Sequence, residues 1–287
     1  MNNNKIFIPL LMLILAGWFL TAHQSFTEKG KAVQLYETYY LPGKISGIEW
    51  NGNVKRCDAG SLNPEILDKA EKRINYFRLV CGLEPIQLNQ EYNEMAQEAA
   101  LIMTANGQLS HTPPKNWKCY SEKGAQGAQN SNLGYSDFEN FSETSFVTGF
   151  ILDYGPINKT IGHRKWLLNS RSLEMGFGHT GEFEAIYVTG VQTEARENPP
   201  SFIAYPPAGH FPSGLVFEKW SFAIPYGSEV DYSRTRISMK DADGKKLSVK
   251  ILSKEDPWYY DPTIVWQAES LFTEEEIKYM KNNLAQK

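Results

Sequence analysis

One change of periodicity limits the fold of this chain more than any other feature. As far as Leu168 the apolar residues recur at helical spacing, and beyond it they alternate or cluster as strands do. Asn63 is placed to cap a helix and Pro64 suits its first position. Ile66, Ala70, Ile74, Phe77 and Cys81 then mark one apolar face, and Gly82 ends the run. Asn89 opens a second helix through Tyr92, Ala96, Ala99 and Met103 to Gly107. A segment rich in Gly, Ser, Asn, Pro and Gln, from Leu109 to about Asn140, reads as a long functional loop. A third helix is expected around Phe146–Tyr154 and a short fourth from Ile161 to Leu168. Strands are expected at Ser172–Gly178 and Phe183–Val191, which makes this half α+β.

The rest reads as β. Phe217–Ile224 alternates in part, and Arg236–Lys240 and Lys246–Ile251 flank the hairpin signal Asp241-Ala242-Asp243-Gly244. Thr263–Gln267 is another strand. Together these predict a small β-sandwich-like domain over 197–270, separated from a first domain over 57–196 by Glu197-Asn198-Pro199-Pro200. Thr273-Glu274-Glu275-Glu276 is a capping box for a helical tail over 271–287. Residues 23–56 show little periodicity and read as a lead-in.

At the N-terminus, Lys5 is the only charge before Glu28, and Ile6 to Leu20 is almost wholly apolar. That layout predicts a signal peptide over 1–22, cut near Ala22. The alternative is an uncleaved anchor, and only then is the membrane a partner; the run falls short of the ~20 residues a spanning helix needs. An exported chain meets an oxidising compartment, where two of Cys57, Cys81 and Cys119 can pair. Cys81 lies on an apolar helix face, so the expected bridge is Cys57–Cys119. The net charge of −4, without basic clusters, argues against nucleic acid as a partner.

Chemistry has few candidates. Of five histidines, His23 falls near the cleavage point and His210 in a Pro-rich loop, leaving His111, His163 and His179. Neither His111 nor His163 has a local partner at metal-ligand spacing. Ser131, Asp153 and His163 stand in a hydrolase-like order, but no Gly-x-Ser-x-Gly elbow surrounds Ser131. Trp166, Leu167 and Leu168 read as core. The loop aromatics Trp258-Tyr259-Tyr260 could bind a glycan or protein, and packing against the first domain is the favoured expectation.

Five ordered segments carry a resemblance. They are Asn75-Tyr76-Phe77-Arg78 with Gly82-Leu83 and Pro85; Leu109-Ser110-His111; Ser131-Asn132-Leu133; Gly162-His163-Arg164 with Trp166-Leu167-Leu168-Asn169; and Met175-Gly176-Phe177-Gly178. Over roughly residues 57–195 this succession resembles the CAP (or SCP) superfamily, most closely its bacterial members. The resemblance implies an α-β-α sandwich with a three-stranded antiparallel sheet, and a cleft lined by two His and two acidic residues. His111 and His163 match the two His positions. Asp153 is the candidate for one acid, while Ser131, before Asn132, stands where the other would be. His111, His163, Asp153, Ser131 and Asn132 are therefore the expected cleft residues. No cofactor is certain, though by the family's pattern His111 and His163 could hold zinc. The resemblance favours a non-enzymatic protein that takes a small ligand, a lipid or a cell-envelope component. The alternatives are a metal- or His-assisted hydrolase and an adhesion protein acting through the β-domain.

Overall fold

Asn63 accepts a hydrogen bond from the Glu65 amide and opens helix α1, Pro64–Val80. Asn89 does the same for α2, Gln90–Asn106, accepting from Glu91 and Tyr92, and Gly107 closes that helix at φ 62°. The structure is a computed structural model, and it describes residues 28–45, 49–135, 147–153, 158–193, 199–227, 230–255 and 260–268. The predicted signal segment, the tail helix and Trp258-Tyr259 lie outside the described residues, as do parts of the 197–200 boundary and of the third predicted helix. No described helix is long and apolar enough to cross a membrane.

The first sheet has the order β1-β3-β4-β2, built from β1 Gln87–Leu88, β2 Ser131–Tyr135, β3 Glu174–His179 and β4 Phe183–Tyr187. The pairs β3–β4 and β4–β2 are antiparallel, and the two-residue β1 adds a parallel edge to the three strands expected. Alternation then decides the layers. Met175, Phe177, Ile186 and Val188 join the core of α1 on one face. Ala185 and Tyr187 join that of α2 on the other. Helices cover both faces of the sheet.

Two expectations need correction. The segment 109–140 is not one long loop: it contains helix α3, Glu122–Gln129, and strand β2. Its glycines, which suggested a loop, let α3 lie directly against α2. A Cβ on Gly127 would stand 2.1 Å from the Met95 carbonyl oxygen. Tertiary contact here outweighs helix propensity. The lead-in is also helical over 28–35, passing into a π-helical turn, Tyr36–Tyr40, whose Tyr40 packs edge-on against Tyr76. Helices α4, Val147–Leu152, and α5, Gly162–Leu167, complete the front region.

The second sheet runs β5-β6-β10-β9, from β5 Ile203–Tyr205, β6 Lys219–Ala223, β9 Val249–Glu255 and β10 Thr263–Ala268. The hairpin β7 Met239–Lys240 and β8 Lys246–Leu247 forms a separate ribbon. The expected sandwich is thus realised only in part. Ile264 and Trp266 pack under the ribbon side with Met239, whereas Ile203, Tyr205 and Ala223 belong to the same apolar core as Phe77 of α1. One face of the second sheet closes on the front region. Tyr260 follows the favoured expectation: it is buried, its hydroxyl accepts from Lys165 Nζ at 2.8 Å, and its ring meets Trp166 edge-on.

Candidate functional site

The site begins where α2 stops. Gly107 turns the chain out of the helix, and the following turn is held by the Ser110 amide on Met103 Sδ. His111 lies beyond it, with Nδ1 2.9 Å from the Ala128 carbonyl at the end of α3. A carbonyl only accepts, so Nδ1 carries the proton and Nε2 is left as the outward nitrogen.

His163 is held by a different device. Helix α5 starts from Ile161, which offers no side-chain cap. Asp153 supplies one from ten residues upstream, its Oδ2 accepting from the His163 amide at 3.0 Å and from the Arg164 amide. Its Oδ1 lies 2.9 Å from His163 Nδ1. A carboxylate following one helix thus serves the N-terminus of the next, where the helix dipole favours negative charge. Asp153 is 1% exposed and sits behind the imidazole rather than on the groove wall. Its contact with Arg164 is through the backbone. The Arg164 guanidinium instead donates to the carbonyls of Ile151 at 2.6 Å, Lys219 at 2.8 Å and Leu152 at 3.3 Å.

His111, Ser131, Asn132 and His163 line one groove of about 370 Å³. Asn132 Nδ2 donates to the His163 carbonyl at 3.1 Å and ties β2 to α5. Ser131 is 4% exposed, and its buried Oγ has no hydrogen-bond partner among the described residues. Trp166, read from the sequence as core, does pack half-buried against the core of α1, and it also forms part of the groove wall. The cue that could have revealed it is its place three residues after His163 on one helix face.

Among the described residues the donor set does not make a resident metal centre. Two imidazoles fall short of the three or four protein ligands usual for zinc, and no group of three His, Cys, Asp or Glu able to hold a metal occurs among the described residues. Nor is a hydrolytic triad assembled, because Asp153 pairs with His163 while Ser131 Oγ bonds to neither. His179 lies elsewhere, buried in the β3–β4 turn, where its Nδ1 accepts from the Gly181 amide at 2.7 Å. Burial pushes its pKa down to about 3.

Cys57 and Cys119 form the expected disulfide, with Cα atoms 5.0 Å apart. Cys81 is the buried free thiol, pushed up to about 12 by burial, and its Sγ donates to the Ala204 carbonyl.

Residues 72–192 match the family model described as CAP, the cysteine-rich secretory protein family. A solved structure, an extracellular protein containing a SCP domain from Bacillus anthracis str. Ames, is 19% identical. The match covers 44% of this chain and 43% of that one, with a TM-score of 0.32. No curated protein matches the chain. The ordered segments, the helix-covered sheet and the two groove histidines thus meet in one conclusion: residues 72–192 are a CAP domain of the cysteine-rich secretory protein family.

Proposed function

We propose that the protein works outside the cytoplasm as a non-enzymatic binding protein, whose ligand occupies the groove between His111 and His163. One observation carries this reading. Each imidazole is anchored through Nδ1, one to a carbonyl and one to a buried carboxylate, on the wall of the same groove. Anchored rings give a pre-formed site, which avoids the cost of ordering side chains on binding. A pair of imidazoles with neither a bonded nucleophile nor a third ligand among the described residues supports recognition better than acid–base chemistry. The Cys57–Cys119 bridge supports an oxidising location, since such bridges persist mainly outside the cytoplasm.

Co-sedimentation with isolated cell envelopes tests the proposal. The purified protein is expected to pellet with them, and His111→Ala plus His163→Ala to remain in solution while still folding, as read from its circular dichroism, even though loss of the His163–Asp153 contact lowers its melting temperature. Equal pelleting by the double variant would overturn the groove as the binding site. Hydrolysis of envelope material by the wild type alone would replace binding with catalysis.

A further inference from the structure

The chain has no long run of one charge, yet its cations are unevenly shared. Between Tyr232 and Lys254 stand seven Lys or Arg against two Asp, in a chain whose net charge is −4. Alternation then sorts them. From Thr235 to Lys240 every second residue is exposed. Arg236, Ser238 and Lys240 face solvent, while Ile237 and Met239 pack with Ile264 and Trp266 of the second sheet. Across the ribbon, Lys240 stands directly opposite Lys246, which is also exposed. Lys254 joins from β9, the edge strand of the second sheet, its Nζ donating to the Ser233 and Thr235 carbonyls at 3.1 Å. Exposed Arg234 lies between those two carbonyls. The ribbon thus turns its apolar side to the sheet and a strip of cations outward.

Two observations set this strip apart from an ordinary solvated face. Like charges directly opposite on paired strands are destabilising, and Lys240 and Lys246 stand in that relation. Nor are they neutralised nearby. Lys69 and Lys72 of α1 each pair with an acid four residues earlier, at 2.7 and 2.6 Å. Among the described residues, Arg234, Arg236, Lys240 and Lys246 form no ion pair. The neighbouring Asp241 spends its Oδ1 on the amides of Asp243 and Lys245 instead.

The shape of the strip selects among anions. Its paired strands are about 5 Å apart, and four residues of strand from Arg236 to Lys240 span roughly 13 Å. A bilayer or a nucleic-acid duplex presents a broad field of charge, which would also press on the exposed Asp241 and Asp243 at the ribbon's tip. One chain of anions fits the width. Arg and Lys take either phosphate or carboxylate oxygens.

We infer that the strip docks a flexible single-chain polyanion, its phosphates or carboxylates running along the ribbon. The inference is independent of the histidine groove, whose lining comes from other elements.

Fluorescence anisotropy of labelled long-chain polyphosphate and poly-glutamate, titrated with the purified protein over a salt series, is the test. Duplex DNA and phosphatidylglycerol vesicles stand for the broad alternatives. At least one chain is expected to bind, with log K falling linearly against log salt. Arg234→Gln, Arg236→Gln, Lys240→Gln and Lys246→Gln together should flatten that slope by about 0.7 for each cation removed. The melting temperature should stay the same or rise slightly, since the Lys240–Lys246 repulsion goes. Lys29→Gln, Lys31→Gln, Lys55→Gln and Lys118→Gln, also at exposed positions, change the net charge equally and should leave binding as it was. Equal loss in both variants would mean that net charge alone acts, and binding retained by the first would place the polymer elsewhere. Either result overturns the strip. Vesicles or duplex bound more tightly than both chains would overturn the single-chain partner, and no binding of any probe would end the proposal.

Discussion

The contact between α2 and the first sheet and the seam between the front region and the second sheet are both buried, but they are built from opposite materials. In the first, side chains are removed. A Cβ on Gly178 would stand 2.2 Å from the Gln97 amide nitrogen, so strand and helix backbones meet almost directly. In the second, charges are buried. Arg164 spends its guanidinium on carbonyls from both sides, Lys219 Nζ reaches the Asp153 carbonyl at 2.7 Å, and Asp261 accepts from the amides of Ser170 and Tyr226. Close backbone packing gains dispersion and apolar burial without naming a unique partner. Buried charges gain little net stability, but they punish every arrangement that leaves them unpaired. The seam fixes where the second sheet docks.

That docking bears on the groove. His163 and Arg164 are neighbours on α5, one on the groove wall and the other in the seam. The second sheet therefore clamps the short helix that carries the imidazole. A six-residue helix is too short to hold its position by its own hydrogen bonds.

Three experiments break or sharpen the contrast. The largest effect is expected for Arg164→Met, which strands the carbonyls of Ile151, Leu152 and Lys219. It should cost about 4 kcal/mol in urea unfolding and split one cooperative transition into two. A single transition with under about 1 kcal/mol lost would show that the seam is held by apolar contact alone.

Next comes Gly127→Val on the close-packed side. The added side chain meets the Met95 carbonyl, and moving α3 away from α2 should cost about 3 kcal/mol. Because Ala128 at the end of α3 positions His111, the His111 ring resonance should shift while that of His163 does not. Movement of both would mean that the two anchors are coupled.

The smallest effect concerns pH. Burial holds the pKa of His179 at about 3, against 6.5 for an ordinary imidazole. The unfolded chain then binds the extra proton between these values. The contribution of neutral His179 to stability is complete above pH 6.5 and is lost as pH falls toward about 3. The slope is at most about 1.4 kcal/mol per pH unit, and His179→Gln should lessen the acid dependence of the urea midpoint by that amount. An unchanged slope would place the acid sensitivity in the buried carboxylates instead.

Legibility from the sequence was uneven for physical reasons. Helices α1 and α2 were readable because a capping Asn, a starting Pro and a stopping Gly agree with the apolar period. Helix α3 was not, because the glycines that let it approach α2 are the residues that argue against a helix locally. Asp153 was legible only as the candidate acid that the resemblance implies; what holds it, the amides and ring at the start of α5, lies across a turn that no periodicity describes. Trp166 packs against the core as read, but its second role on the groove wall was hidden because helical spacing does not tell which side of a short helix is left uncovered.

By itself the sequence determined the order of helices and strands, the cysteine pair and the two histidines worth following, since local backbone preferences and side-chain chemistry are written residue by residue. Only the tertiary structure decided that both imidazoles share a groove, that side-chain amides stand beside them there, and that the second sheet is locked to the helix that carries one of them. Those outcomes depend on burial and on hydrogen bonds between segments far apart in the chain, and such terms take a value only when the chain is folded.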